Sequence, residues 1–199
     1  DGHALKAGAV TFVKNIKNPV KLARLIMENT EHILLAGEGA NQFAEQMGVR
    51  TEPDEYFFTE HRWLQLQEAM ADGRIQLDHA FNSSPPYEGG VDAALGGRGG
   101  SPAKPIGTVG AVACDQNGHL AAATSTGGMT NKKFGRVGDT AIIGAGTYAD
   151  ETCAVSCTGH GEYFMLAATA YDVAARMKYK GLNLLEAAQE AIDHLTEIN

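Results

Sequence analysis

The chain is poor in cysteine and in positive charge. Three cysteines in 199 residues, an odd number with no CxxC pair, exclude a disulfide scaffold. Cys153 and Cys157 lie four apart, which on a strand is about 13 Å, too far for a bridge. All three cysteines therefore read as reduced core or near-core thiols of a cytoplasmic protein. No HExxH and no Cys/His pair at zinc spacing is present, so no metal site is expected in this chain. Lysine and arginine number 16 against 24 aspartates and glutamates, a net charge of −8 that repels phosphate backbones. Non-specific nucleic-acid binding is thereby disfavoured. No apolar run approaches the roughly 18 residues of a membrane span. There is no secretory signal and no initiator Met; the chain opens Asp1-Gly2-His3, and its natural beginning is expected to lie upstream. What is abundant is glycine, 24 of 199 residues, well above the usual level of about 7 %.

The periodicities alternate between strand and helix. Leu5–Val13 reads as a strand, broken by Asn18-Pro19. Pro19 suits the first turn of a helix whose apolar face is Val20, Leu22, Ala23, Ile26 and Met27. His32–Ala36 reads as a short strand, Gly37-Glu38-Gly39 as a turn, Ala40–Met47 as a second helix and Thr59–Ala71 as a third, ended by Gly73. Strand, Gly-x-Gly and helix in this order also raise a nucleotide-binding module, but the third glycine of that fingerprint is missing because position 42 is Gln.

Between Asn82 and Gly107, Pro, Gly and Ser make up 14 of 26 residues, the composition of a flexible linker. The chain thus divides into residues 1–81, a linker at 82–107 and a strand-rich part from 108 to 199. There, Thr108–Cys114 and His119–Thr124 flank Asp115-Gln116-Asn117-Gly118, a strong hairpin signal. A three-residue loop, Gln116-Asn117-Gly118, sets Asp115 opposite His119 and Thr108 opposite Thr126. A two-residue Asn117-Gly118 loop slips the register and sets Thr108 opposite Gly127. Either register makes Thr108 and Thr126 neighbours. Thr152–Cys157 reads as another strand, followed by one helix from Glu162 to about Tyr179. A last helix runs from Leu182 or Asn183 to about Ile198, with an Asn183/Glu186 capping box. Eight glycines fall between Gly89 and Gly110 and eight between Gly127 and Gly161, where backbone N–H groups can approach a ligand closely.

A threonine that opens a strand behind a flexible linker has a particular chemical possibility. Cutting the Gly107–Thr108 bond frees an α-amine with a reference pKa near 8, close to working pH. Nucleophile and base then reside in one residue, and no separate His or Asp is needed.

The blocks Ile106-Gly107-Thr108-Val109-Gly110-Ala111-Val112, Ala123-Thr124-Ser125-Thr126-Gly127-Gly128-Met129-Thr130-Asn131-Lys132, Gly135-Arg136-Val137-Gly138-Asp139, Gly144-Ala145-Gly146-Thr147-Tyr148-Ala149 and Ser156-Cys157-Thr158-Gly159-His160-Gly161-Glu162 stand in order along the chain. Upstream lie Leu5-Lys6-Ala7-Gly8-Ala9-Val10, Asn18-Pro19-Val20 and Gly37-Glu38-Gly39-Ala40. Together they closely resemble the plant-type L-asparaginases and isoaspartyl peptidases, which are N-terminal-nucleophile hydrolases. The resemblance implies an α+β fold of the αββα sandwich type, here incomplete at both ends, with 1–81 from the α-subunit region and 108–199 from the β-subunit region. It implies self-cleavage at Gly107–Thr108 and hydrolysis of L-asparagine and β-aspartyl peptides by the freed Thr108. By the same resemblance, Thr126 tunes Thr108, Arg136 holds the substrate α-carboxylate, Asp139 holds its α-ammonium with help from the Gly161 carbonyl, and Thr158 and Gly159 form an oxyanion hole. Asp139, three residues from Arg136, could alternatively form a plain salt bridge with it. No catalytic cofactor is implied; a structural sodium ion is, on a loop upstream of Asp1. The implied assembly is a cytoplasmic dimer of αβ protomers without nucleic-acid or membrane partners. Rival readings are a glycosylasparaginase of the same family and a catalytically inactive truncated homologue.

Overall fold

The computed structural model describes residues 1–77 and 107–198, in which helices and strands mix in an α+β arrangement. The expected linker at 82–107 lies outside the described residues except for Gly107.

In the first part, β1 (Ala9–Thr11) runs parallel to β2 (Leu34–Ala36), and α1 (Pro19–Asn29) makes the crossover between them. β1 is much shorter than the strand expected over Leu5–Val13, because Leu5 and Phe12 both adopt left-handed backbone that interrupts a ladder. Pro19 occupies the first turn of α1, where its missing N–H costs nothing. Of the apolar face, Leu22 and Ile26 are fully buried. Leu22 clusters with Ile16 and Ala44, the latter from α2 (Gly37–Gln46), and Val10, Val13, Phe43 and Val49 pack against this cluster. Gly37-Glu38-Gly39 is therefore the first turn of α2 rather than a separate loop. A single turn, α3 (Asp54–Phe57), has no strong sequence signal; α4 (Glu60–Ala71) follows its Thr59 N-cap, and Gly73 ends it in left-handed backbone.

The second part begins with the hairpin of β3 (Val109–Cys114) and β4 (Leu120–Ser125). Val109 pairs with Ser125 and Cys114 with Leu120, while the Asp115 amide donates to the His119 carbonyl at 3.0 Å. This is the three-residue-loop register, with Gly118 at φ +82°, a conformation natural to glycine. Extended by one pair, it sets Thr108 opposite Thr126.

A second hairpin, β5 (Thr147–Ala149) with β6 (Ala154–Ser156), packs behind the first. The Thr124 hydroxyl reaches the Thr147 hydroxyl, the Ser156 hydroxyl at 2.7 Å and the Gly146 carbonyl at 3.3 Å. Helices α5 (Gly161–Ala167), α6 (Thr169–Lys180) and α7 (Leu184–Glu197) follow. The single helix expected from Glu162 to Tyr179 is thus two, broken at Ala168, which is left-handed at φ 48°. Asn183 and Glu186 form the expected capping box. A second core, Val173, Ala187 and Ala191, seals α6 on α7 with Val155 of β6 against it.

The cysteines are free, but only Cys153 is buried; Cys114 is exposed on β3, contrary to the expectation of a core or near-core thiol. Its β3 neighbours are exposed too, so that strand offers it no cover. Among the described residues no helix is long and apolar enough to cross a membrane.

Gly110 sets the approach of the two hairpins, since a Cβ there would overlap the Ser156 hydroxyl and come within 2.8 Å of the Ser156 Cβ. Gly110→Ala is expected to destabilise the protein by about 2 kcal/mol, a typical cost of overpacking. Adding Ser156→Gly should restore part of the loss; chemical denaturation of the single and double variants checks this.

Candidate functional site

Thr108 and Thr126 sit at the open end of the β3–β4 hairpin. The Thr108 hydroxyl donates to Thr126 Oγ1 at 3.1 Å, and the Gly128 backbone N–H donates to the same oxygen at 3.0 Å. A hydroxyl that passes its proton toward an acceptor gains electron density at oxygen. Gly128, at φ +87°, supplies the turn that brings this N–H back onto Thr126.

These residues line a cleft together with Gly107, Arg136, Gly138, Asp139, Thr140, Thr158, Gly159 and Leu77. Of the residues singled out from sequence, Gly107, Thr108, Thr126, Arg136, Asp139, Thr158 and Gly159 thus share one wall-set. Gly161 lies behind it, against the Asp139 carboxylate, and is not among the lining residues. With Gly107 still joined to Thr108, the cavity volume is about 30 Å³, room for about two water molecules.

Leu77 reaches the cleft because the adjoining chain is clipped to the loop after β4. Gln76 and Thr130 exchange backbone hydrogen bonds at 3.1 and 2.9 Å. The Asn131 side-chain amide donates to the carbonyls of Ala69 and Arg74. No local pattern marks Leu77, since its placement depends on this pairing across more than 50 residues.

Arg136 and Asp139 do not pair as plain salt-bridge partners. Arg136 instead donates from Nε and Nη2 to the two carboxylate oxygens of Glu162, both at 2.8 Å. This bidentate pair holds the Glu162 carboxyl below its usual range. Glu162 stands in a family-like block, yet nothing local assigns it to an arginine 26 positions away.

Asp139 starts a 3-10 turn, Asp139–Ala141, after extended Gly138. It is 6 % exposed, and its Oδ2 is buried with no hydrogen-bond partner among the described residues. Glycines make its berth: a Cβ on Gly146 would lie 2.7 Å from Oδ2, and one on Gly161 2.6 Å from Oδ1. Burial pushes the Asp139 carboxyl up, against the opposing pull of backbone N–H groups and Arg136. Burial, and then the nearby Asp139 charge, push the Cys157 thiol up to about 12. It stays protonated and offers no competing nucleophile.

Thr158 and Gly159 precede α5. Gly159 has φ +153°, and a Cβ on it would come within 2.6 Å of the Phe164 ring. Among the described residues no cluster of three or more His, Cys, Asp or Glu side chains is placed to hold a metal ion.

Two hydrogen-bonded hydroxyls, one arginine, one underpaired carboxylate and a glycine turn thus meet at one cleft of an α+β protein. In comparison with known proteins, the family model described as asparaginase matches residues 1–198, and the chain belongs to that family. It is 48 % identical over 193 residues to the isoaspartyl peptidase of Escherichia coli, covering 96 % of this chain and 55 % of that protein. It is 44 % identical over 199 residues to the probable isoaspartyl peptidase/L-asparaginase 2 of Arabidopsis thaliana, covering 98 % and 60 %. The isoaspartyl peptidase/L-asparaginase of Mus musculus is 44 % identical over 197 residues, covering 98 % and 53 %. The chain thus spans a little over half the length of these relatives.

The Asp139 carboxylate is a buried charge short of a partner, and its stability effect has a definite sign. Its folded pKa is raised, so the native state binds more protons than the unfolded state between the ordinary carboxylate range and the raised value. Stability falls as pH rises through that window. Asp139→Asn is expected to remove this dependence and raise stability near neutral pH by about 1 kcal/mol, or roughly 2–4 °C in Tm. Thermal melts of both proteins across pH 4–8 check it.

Proposed function

We propose that this chain belongs to a threonine N-terminal-nucleophile hydrolase that cleaves the side-chain amide of L-asparagine and of β-aspartyl peptides. One observation carries the reading. Thr108, the residue immediately after Gly107, donates to Thr126 inside a cleft that also holds Arg136, Asp139, Thr158 and Gly159. The names of the relatives in Escherichia coli and Mus musculus favour this branch of the family over a glycosylasparaginase.

The reaction begins with maturation. Thr108 Oγ attacks the Gly107 carbonyl, the peptide C–N bond breaks, and the acyl group passes from nitrogen to oxygen. Water then hydrolyses the ester, leaving a Gly107 carboxylate and a free Thr108 α-amine. Cleavage frees Gly107 to leave the cleft and open space for substrate. The amine takes the Thr108 hydroxyl proton, and Oγ attacks the side-chain carbonyl of the substrate. The oxyanion receives hydrogen bonds from the Thr158 hydroxyl and the Gly159 N–H. Ammonia or an amine departs with a proton, and water hydrolyses the β-aspartyl ester. Thr126 keeps the Thr108 hydroxyl oriented. Arg136 grips the substrate α-carboxylate through its planar fork, and Asp139 takes the α-ammonium, with the Gly161 carbonyl assisting. Asp139 lines the cleft without pairing to Arg136, and a largely buried carboxylate favours a cationic partner, which supports this assignment.

The two hairpins and the helices on them fit the αββα sandwich of N-terminal-nucleophile hydrolases. β3, exposed along all six residues, is the surface on which further strands of that sandwich would pack. A dimer of αβ protomers in the cytoplasm belongs to the same proposal. The structural sodium ion of the family is assigned to no residue of this chain.

With a β-aspartyl dipeptide as substrate, Thr108→Ala is expected to abolish turnover. Thr158→Ala should lose about 3–4 kcal/mol of transition-state stabilisation, roughly a hundred- to thousandfold in kcat. A steady-state assay run beside a glycosylated asparagine checks both; hydrolysis confined to the glycosylated substrate contradicts the assignment.

A further inference from the structure

The Arg136 guanidinium has two edges at which it can form paired hydrogen bonds: Nε with Nη2, and Nη1 with Nη2. Glu162 occupies the first with both carboxylate oxygens at 2.8 Å. Arg136 lines the cleft, whereas Glu162 is half exposed and is not among the lining residues. Two glycines shape the slot for the guanidinium. A Cβ on Gly138 would stand 2.7 Å from Nη1, and one on Gly161 3.0 Å from Nη2. The arginine is thus braced along one edge from outside the cleft, and its opposite end is left for a ligand.

We propose that Glu162 is the positioning residue for carboxylate recognition: it locks Arg136 side-on so that the Nη1/Nη2 end faces the α-carboxylate of the substrate. The assignment rests on the proposed function and deepens it. Glu162 touches the arginine and not the substrate. Its charge works against anion binding, because it offsets Arg136 beside a second carboxylate, Asp139. A purely coulombic role therefore predicts that neutralising Glu162 tightens binding of a carboxylate substrate. A positioning role predicts the reverse, since an unbraced arginine must be ordered again at each binding event.

The two are separated by steady-state kinetics of Glu162→Gln in the full-length protein. One substrate is a β-aspartyl dipeptide, and the other is the same dipeptide with the α-carboxylate of its aspartyl residue converted to an amide. For the first, KM is expected to rise about tenfold with kcat changed less than about twofold, the pattern of lost uniform binding. For the amide, which leaves Arg136 without its ionic partner, the variant's KM should stay within about twofold of wild type. Glu162→Asp keeps the charge with a shorter reach and should fall between the two; it carries the comparison if Glu162→Gln shows no cooperative melt. An unchanged or lowered KM for the carboxylate substrate, an equal rise for both substrates, or a fall in kcat at constant KM overturns the assignment. A wild-type protein inactive on both substrates overturns the proposed function and this assignment with it.

Discussion

The contact on which the site depends is a hydrogen bond between two threonine hydroxyls, Thr108 to Thr126 at 3.1 Å. It exists because the hairpin carries one register. Strand side chains alternate, so a slip of one residue turns every side chain to the opposite face. With Gly118 in its left-handed turn, the ladder runs Val109 to Ser125 through Cys114 to Leu120. The next pair outward is the two threonines. The tight fit of Gly110 on Ser156 and the hydroxyl cluster of Thr124, Thr147 and Ser156 then hold this hairpin against its neighbour.

Around that contact the protein accepts an electrostatic cost. Asp139 is buried with one oxygen short of a partner among the described residues, and it is held there by glycines at 146 and 161 that leave no room for a Cβ. Arg136 has its own carboxylate in Glu162 and does not neutralise Asp139 by direct pairing. The cleft thus keeps the Arg136 fork and the Asp139 carboxylate from pairing directly with each other, an arrangement that costs stability in the empty fold. A raised carboxyl pKa at Asp139 is the titration signature of that arrangement.

Much of this was legible in the residues, and the illegible parts have identifiable causes. The hairpin, the Pro19 helix start and the Asn183/Glu186 capping box were readable because local chemistry dictates them. The break at Ala168 was not, because an alanine in left-handed backbone carries no glycine to announce it. The closeness of Thr108 and Thr126 was readable from that hairpin, whereas the addition of Arg136, Asp139, Thr158 and Gly159 followed from family-like blocks rather than from periodicity. Arg136 with Asp139 invited a salt-bridge reading because three residues separate them, as in adjacent helical turns. The extended Gly138 between them breaks that geometry, and Glu162 takes the arginine instead. Leu77 in the cleft was illegible for the same reason: contacts made across dozens of residues leave no local pattern.

The most direct measurement is intact-mass and N-terminal analysis of the purified full-length protein, wild type beside Thr108→Ala. The account predicts that the wild-type chain parts at Gly107–Thr108, with Thr108 as a new N-terminus, and that the variant stays whole. A wild-type chain that remains intact indefinitely, or a variant that is cut at the same bond, contradicts it.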